Sequence, residues 1–137
     1  YFNTFRNCLK VSKDTKIHLE LGRSVVAQCS NLITKVLYTK QTAHKQFVIV
    51  DAGFTDLVRP ALYGAYHDIV NLSNQDVAKE KYDIVGPICE SSDVFAKDRP
   101  LSPTKRGDIL SIHSAGAYGE VMASTYNARP LIKGYLL

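Results

Sequence analysis

The distribution of apolar and polar positions divides this 137-residue chain into many short elements. At the start, "YFNTFRNCLKV" sets Phe2, Phe5 and Leu9 at helical spacing, which predicts a short helix with one apolar face. "KIHLELG" follows as a brief predicted strand ending at Gly22. "LITKVLYTK" (32–40), in a stretch that carries β-branched residues, reads as a strand. "KQFVIVDAG" predicts a stronger one, in which Phe47–Val50 is a continuous apolar run stopped by Asp51 and Gly53. In "DLVRPALYGAYHDI", Pro60 forbids a long helix and Gly64 weakens one, so a single helical turn or an ordered loop is expected. "HDIVNL", "KYDIVGPI" and "RGDILSIHSAG" predict three further strands. "AYGEVMAS" predicts a short helix with Ala117, Val121 and Met122 inward, and "RPLIKGYLL" a closing strand. Many short strands with turn residues between them imply an antiparallel sandwich or barrel, since a parallel sheet would require repeated crossover helices.

Composition narrows the class. Hydrophobic residues make up 45% of the chain and charged ones 22%, the balance of an ordinary globular domain. Seventeen basic against 13 acidic residues give a net charge of +4, but the basic residues are scattered, which argues against a nucleic-acid or membrane surface. Three widely spaced cysteines, Cys8, Cys29 and Cys89, form no zinc or disulfide pattern and point to a reduced cytoplasmic setting. His18, His44, His67 and His113 have no metal-ligand spacing, so no metal is expected. The chain opens at Tyr1 on a helix without a capping residue, and is expected to be a piece of something larger.

Four segments set unusual polar residues in apolar surroundings: "ELGR" (20–23), "RPALYGA" (59–65), "GPICESSD" (86–93) and "SAGAYG" (114–119). Singly, each has a plain explanation. Arg23 is then a surface cation, Arg59 a helix-start charge, Tyr63 and Tyr118 core aromatics, and Cys89 a small buried hydrophobe at a strand end.

Together, in this order, they closely resemble the C-terminal part of the diaminopimelate decarboxylases. These are pyridoxal-phosphate enzymes of the fold-type III group, which also holds ornithine and arginine decarboxylases and alanine racemase. The resemblance runs over essentially the whole chain. The triplet "CES" (89–91) is its informative part, because the ornithine and arginine enzymes usually have aspartate after the cysteine. Leu21 stands where the family's Glu-Pro-Gly-Arg junction usually has proline.

The resemblance implies a mainly β chain with short helices, the C-terminal β-domain of a larger protein. Residues 1–22 would be the last helix and strand of a preceding (β/α)8 barrel, and 23–137 the β-domain. It implies pyridoxal 5'-phosphate as cofactor and meso-diaminopimelate as substrate, decarboxylated to L-lysine. It further implies a head-to-tail homodimer with shared active sites. Cys89 would donate a proton at the α-carbon. Arg23, Arg59, Tyr63, Glu90 and Tyr118 would bind substrate, with Glu90 pairing to the distal ammonium. Glu20, Leu21, Gly22, Arg23 and Tyr118 would meet the cofactor. Cys89 and Glu90 would serve the partner subunit's site. Cys8 and Cys29 match no functional position and are expected to be packing residues. No lysine here matches the one that holds the cofactor, so this chain alone is expected to be inactive. Two alternatives stand beside this reading: a decarboxylase of another amino acid (carboxynorspermidine, ornithine or arginine type), or a non-catalytic β-domain that serves assembly.

Overall fold

The computed structural model describes residues 2–12 and 14–136; the side chains of Phe2 and Arg6 also lie outside the described part. Helix α1 covers Phe2–Cys8, where the apolar spacing predicts it, although the Phe2 side chain of that face is not described. The strands are β1 (Leu32–Gln41), β2 (Gln46–Val50), β3 (Ile69–Asn71), β4 (Glu80–Val85), β5 (Val94–Leu101) and β6 (Ile109–Ile112). Helix α2 covers Arg23–Val26 and α3 covers Arg59–Tyr63.

All six strands join one sheet in the order β3-β6-β1-β2-β4-β5. Strand β1 is the pivot. Its first four residues, Leu32–Lys35, pair with β6, and its far end, from Val36 to Gln41, pairs with β2. The register shifts between Val36 and Tyr38, a bulge that bends the strand and adds twist. The sheet therefore curls until its two edge strands face each other. Side chains close the gap instead of a ladder. Arg99 Nη2 on β5 donates to His67 O at 3.1 Å, just before β3. Asn71 Nδ2 on β3 donates to Thr104 Oγ1 at 3.1 Å and to Asp108 Oδ2 at 2.9 Å.

Inside the curl lies a single core built from alternating positions: Leu32 and Val36 of β1, Val48 and Val50 of β2, Ile84 of β4, Leu110 and Ile112 of β6, with Leu57 beneath them. This is the mainly β, barrel-like class that the strand pattern implies.

Five local expectations need correction. Strands β2 and β4 run parallel, not antiparallel. Their connection spans residues 51–79 and carries α3 and β3, so one long crossover suffices where repeated βαβ units would not fit. Residues 16–22 form no strand; Ile17, Leu19 and Leu21 are exposed, and no neighbouring strand in the described chain pairs with them. The described part of the closing "RPLIKGYLL", residues 129–136, forms none either, although Ile132 packs against the core. At 120–122 there is only a 3-10 turn, in which Val121 is 79% exposed instead of inward; Ala117 is buried as expected. Strand β5, "VFAKDRPL", is absent from the sequence expectation. Lys97, Asp98, Arg99 and Pro100 obscure it, yet proline is tolerated because β5 lies at the edge.

Candidate active site

Helix α3 begins right after the turn at 51–56 and ends at Gly64, whose φ of 60° stops it. One helical turn sets Arg59 and Tyr63 on the same face, and the Arg59 guanidinium lies 5.4 Å from the centre of the Tyr63 ring. A second ring, that of Tyr118, lies 5.8 Å from the same guanidinium. Tyr118 reaches that position from a turn after β6 in which Ser114 (φ 60°) and Tyr118 (φ 65°) are both left-handed. Two non-glycine residues held there store local strain, which the surrounding contacts must offset.

Those contacts come from the end of α2 and the 3-10 turn Ala27–Cys29 that follows it. Gly116 N donates to Ala27 O at 3.0 Å and Ala115 N to Ser30 O at 2.9 Å. A Cβ on Gly116 would meet Val26 O at 2.2 Å and Cys29 Sγ at 2.7 Å, so only glycine permits this approach. The "SAGAYG" turn is thereby locked to the helix that starts at Arg23.

The result is an open cleft of about 590 Å³. Arg23, Arg59, Tyr63, Tyr66, His67 and Ser114 line most of it, with Ala27 and Ala65. It presents two guanidiniums and no carboxylate among its described lining residues, which is the chemistry of an anion site. Tyr63 and Tyr118 are 60% and 46% exposed, so neither is a core aromatic. Of the expected site residues, the fold therefore brings together Arg23, Arg59, Tyr63 and Tyr118. Glu20, Leu21 and Gly22 do not line this cleft; they lie in an exposed stretch ahead of α2.

Cys89 and Glu90 do not line it either. They occupy a separate loop between β4 and β5, and both are exposed. The buried-hydrophobe reading of Cys89 is thus overturned. Cys8 and Cys29 are also exposed, against the expectation of packing roles, although the Cys29 sulfur faces Gly116.

The loop is ordered by the last residue of "GPICESSD", whose polar "SSD" (91–93) is expected to hold the thiol on its loop. Asp93 is 3% exposed. Its Oδ2 accepts from Ile88 N at 2.8 Å and its Oδ1 from Phe54 N at 2.7 Å, while its carbonyl accepts from Gly86 N at 3.0 Å. Burial pushes its carboxyl above the usual range, against the opposing pull of the two amides and of Arg129. A Cβ on Gly86 would fall 2.2 Å from the Asp93 carboxylate. An aspartate closing a Gly-Pro turn is the available sequence signal for such a brace. Tyr66, His67 and Arg129 carry no comparable signal, whereas Ser114 opens "SAGAYG".

A model of the pyridoxal-dependent decarboxylases, C-terminal sheet domain, matches residues 23–116, and the chain belongs to that family. The similarity then points to one kind of member. The chain is 57% identical over 98% of its length to a diaminopimelate decarboxylase of Bacteroides thetaiotaomicron, and 51% identical over 85% to that of Pseudomonas aeruginosa. It spans 35% and 28% of those relatives' lengths, about a third. Among solved structures, a Helicobacter pylori diaminopimelate decarboxylase complexed with L-lysine superposes with a TM-score of 0.74 at 50% identity, covering 81% of this chain and 27% of that one. A Selenomonas ruminantium lysine decarboxylase superposes less well, with a TM-score of 0.66 at 25% identity over 74% of this chain and 27% of the other.

Proposed function

We propose that this chain is the C-terminal sheet domain of a diaminopimelate decarboxylase, which converts meso-2,6-diaminopimelate to L-lysine and CO2 with pyridoxal 5'-phosphate. The observation that carries the reading is the cleft in which Arg23 and Arg59 sit with Tyr63, in a chain 57% identical to such an enzyme along 98% of its length. Diaminopimelate has an amino-carboxylate at each end, so an enzyme that reacts at one end must bind a second carboxylate. A guanidinium fixes a carboxylate by two parallel N–H bonds, and Arg59 is oriented for this by the two rings beside it. The Tyr63 hydroxyl supplies a further donor on the same face. A lysine or ornithine decarboxylase has no second carboxylate to read.

The residues present fit the cofactor. Arg23 offers a cation for its phosphate, and Tyr118 sits on a strained turn that Gly116 lets pack against the end of α2. Pyridoxal phosphate, when bound, supplies the electron sink that lets CO2 leave the α-carbon. Cys89 Sγ, exposed on its loop, then delivers a proton to that α-carbon. Glu90 pairs with the distal ammonium. As the resemblance implies, Cys89 and Glu90 act in the site of the partner subunit of a head-to-tail homodimer; their position on a loop apart from the Arg59 cleft supports this reading. Residues 1–22 belong to the end of the preceding barrel and 23–137 to the sheet domain.

The test is to assay the enzyme that carries this chain at the relatives' full length, with pyridoxal phosphate and meso-diaminopimelate, for L-lysine and CO2. Turnover of diaminopimelate and none of lysine, ornithine or arginine is expected. Decarboxylation of a plain diamino acid without turnover of diaminopimelate would sink the assignment.

A further inference from the structure

Residues 51–56 connect β2 to α3, and both of their faces are occupied. On one face lies the Cys89–Glu90 loop: Phe54 N is bound by Asp93 Oδ1, and Gly53 lies so near Ile88 that a Cβ there would come within 2.5 Å of it. On the other lies the stretch 124–129, which makes contact through three residues. Ser124 N donates to Thr55 O at 2.9 Å. The Tyr126 ring lies 5.6 Å from that of Phe54. Arg129 Nη2 donates to Asp51 O at 2.6 Å and forms an ion pair of 3.5 Å with Asp56 Oδ2. The same Asp56 oxygen accepts from Gly53 N at 2.8 Å. A single turn is thus held from behind by Arg129 while its front amide binds the brace of the loop.

We propose that Arg129 is a positioning residue for the Cys89–Glu90 loop, acting through the 51–56 turn and Asp93. The proposal rests on the reading that this loop carries the proton donor and the ammonium-binding carboxylate. Arg129 touches neither Cys89 nor Glu90 in the described contacts; it sets the direction of the Phe54 amide that Asp93 must meet. Its charge also matters. The charged groups around the Asp93 carboxyl are Arg129, which favours the ionised form, and Asp56, which opposes it along with burial; its remaining partners are the neutral amides of Phe54 and Ile88. Ionised Asp93 accepts from both amides, whereas a protonated carboxyl has one good acceptor fewer. When Arg129 is lost, Asp93 takes up its proton at a higher pH, and the loop loses an anchor from that pH downward.

The experiment uses the full-length enzyme with Arg129→Gln, Arg129→Lys and Cys89→Ala. Arg129→Gln is expected to lower kcat roughly 10- to 100-fold with KM nearly unchanged, the cost of a small misplacement of the reacting group. The acid limb of its kcat profile moves to higher pH, and the amides of Phe54 and Ile88 exchange hydrogen faster. Arg129→Lys keeps the charge, so its acid limb stays at the parental pH while kcat falls less. Parental kcat, acid limb and amide exchange in Arg129→Gln would overturn the proposal. Should that variant fail to fold, parental kcat and parental exchange at both amides in Arg129→Lys would overturn it equally. If Cys89→Ala keeps full turnover, the catalytic reading of the loop is what fails, and the exchange rates still decide the role of Arg129.

Discussion

The Arg59 guanidinium lies over the Tyr63 ring, 5.4 Å from its centre, one helical turn along α3. This fixes the direction of a cation that lines the cleft with Arg23. Arg59→Gln in the full-length enzyme removes a charge-assisted contact of about 1.5–3 kcal/mol, so kcat/KM for diaminopimelate should fall roughly 10- to 150-fold. Arg59→Lys keeps the charge without the fork and should recover only part of the loss. Tyr63→Phe keeps the ring and should cost less than either. Steady-state kinetics on the three variants check the order; an Arg59→Gln enzyme with parental kcat/KM would return Arg59 to a helix-start charge.

Cys89 is exposed on its loop and makes no disulfide. Cys89→Ala should slow proton delivery to the α-carbon more than substrate binding, lowering kcat with little change in KM. Products protonated at a wrong position should rise, which chromatography of the reaction mixture measures. Parental turnover would leave Cys89 as an exposed thiol of no catalytic account.

Glu90 Oε1 accepts from Ser91 N at 3.0 Å and from Ser91 Oγ at 3.4 Å, and the exposed side chain can meet an incoming cation. Glu90→Gln should reduce kcat/KM roughly 10- to 150-fold by losing one charge-assisted bond. In mixed dimers with subunits that lack the cofactor-holding lysine, some activity should return, because the second subunit lends an intact Cys89–Glu90 loop. Mixed dimers no better than the Glu90→Gln homodimer, with subunit exchange demonstrated, would refute a shared site.

Two glycine substitutions test the packing of the site. Neither Gly86 nor Gly116 is among the positive-φ residues, so a change at either acts by volume. At Gly116 the obstacle is the Val26 carbonyl, 2.2 Å from where a Cβ would stand, and backbone yields little. At Gly86 it is the Asp93 side chain at the same distance, which can swing away only by releasing the Phe54 and Ile88 amides. Each Gly→Ala change should destabilise by about 1–3 kcal/mol in urea unfolding. Gly86→Ala should also speed hydrogen exchange at Phe54 and Ile88, whereas Gly116→Ala should leave those two amides unchanged.

Local patterning alone determined much of this protein. The β-branched residues in 32–40, the apolar run at 47–50 and Pro60 specify β1, β2 and the brevity of α3, because strand preference, apolar patterning and a missing N–H act within a few residues. The resemblance carried by "CES", "RPALY" and "SAGAYG" marked Arg23, Arg59, Tyr63 and Tyr118, which the fold gathers around one cleft. The tertiary structure decided the rest. Strand β5 exists because β4 supplies a partner for a polar, proline-bearing edge, and 16–22 stays irregular because nothing in the described chain pairs with it. The parallel pairing of β2 with β4 depends on a long crossover that no local pattern encodes. Asp93 and Arg129 gained their roles in the same way. A carboxylate becomes a brace only when burial and two converging amides surround it, and a guanidinium becomes a clamp only when a turn 78 residues away folds beneath it.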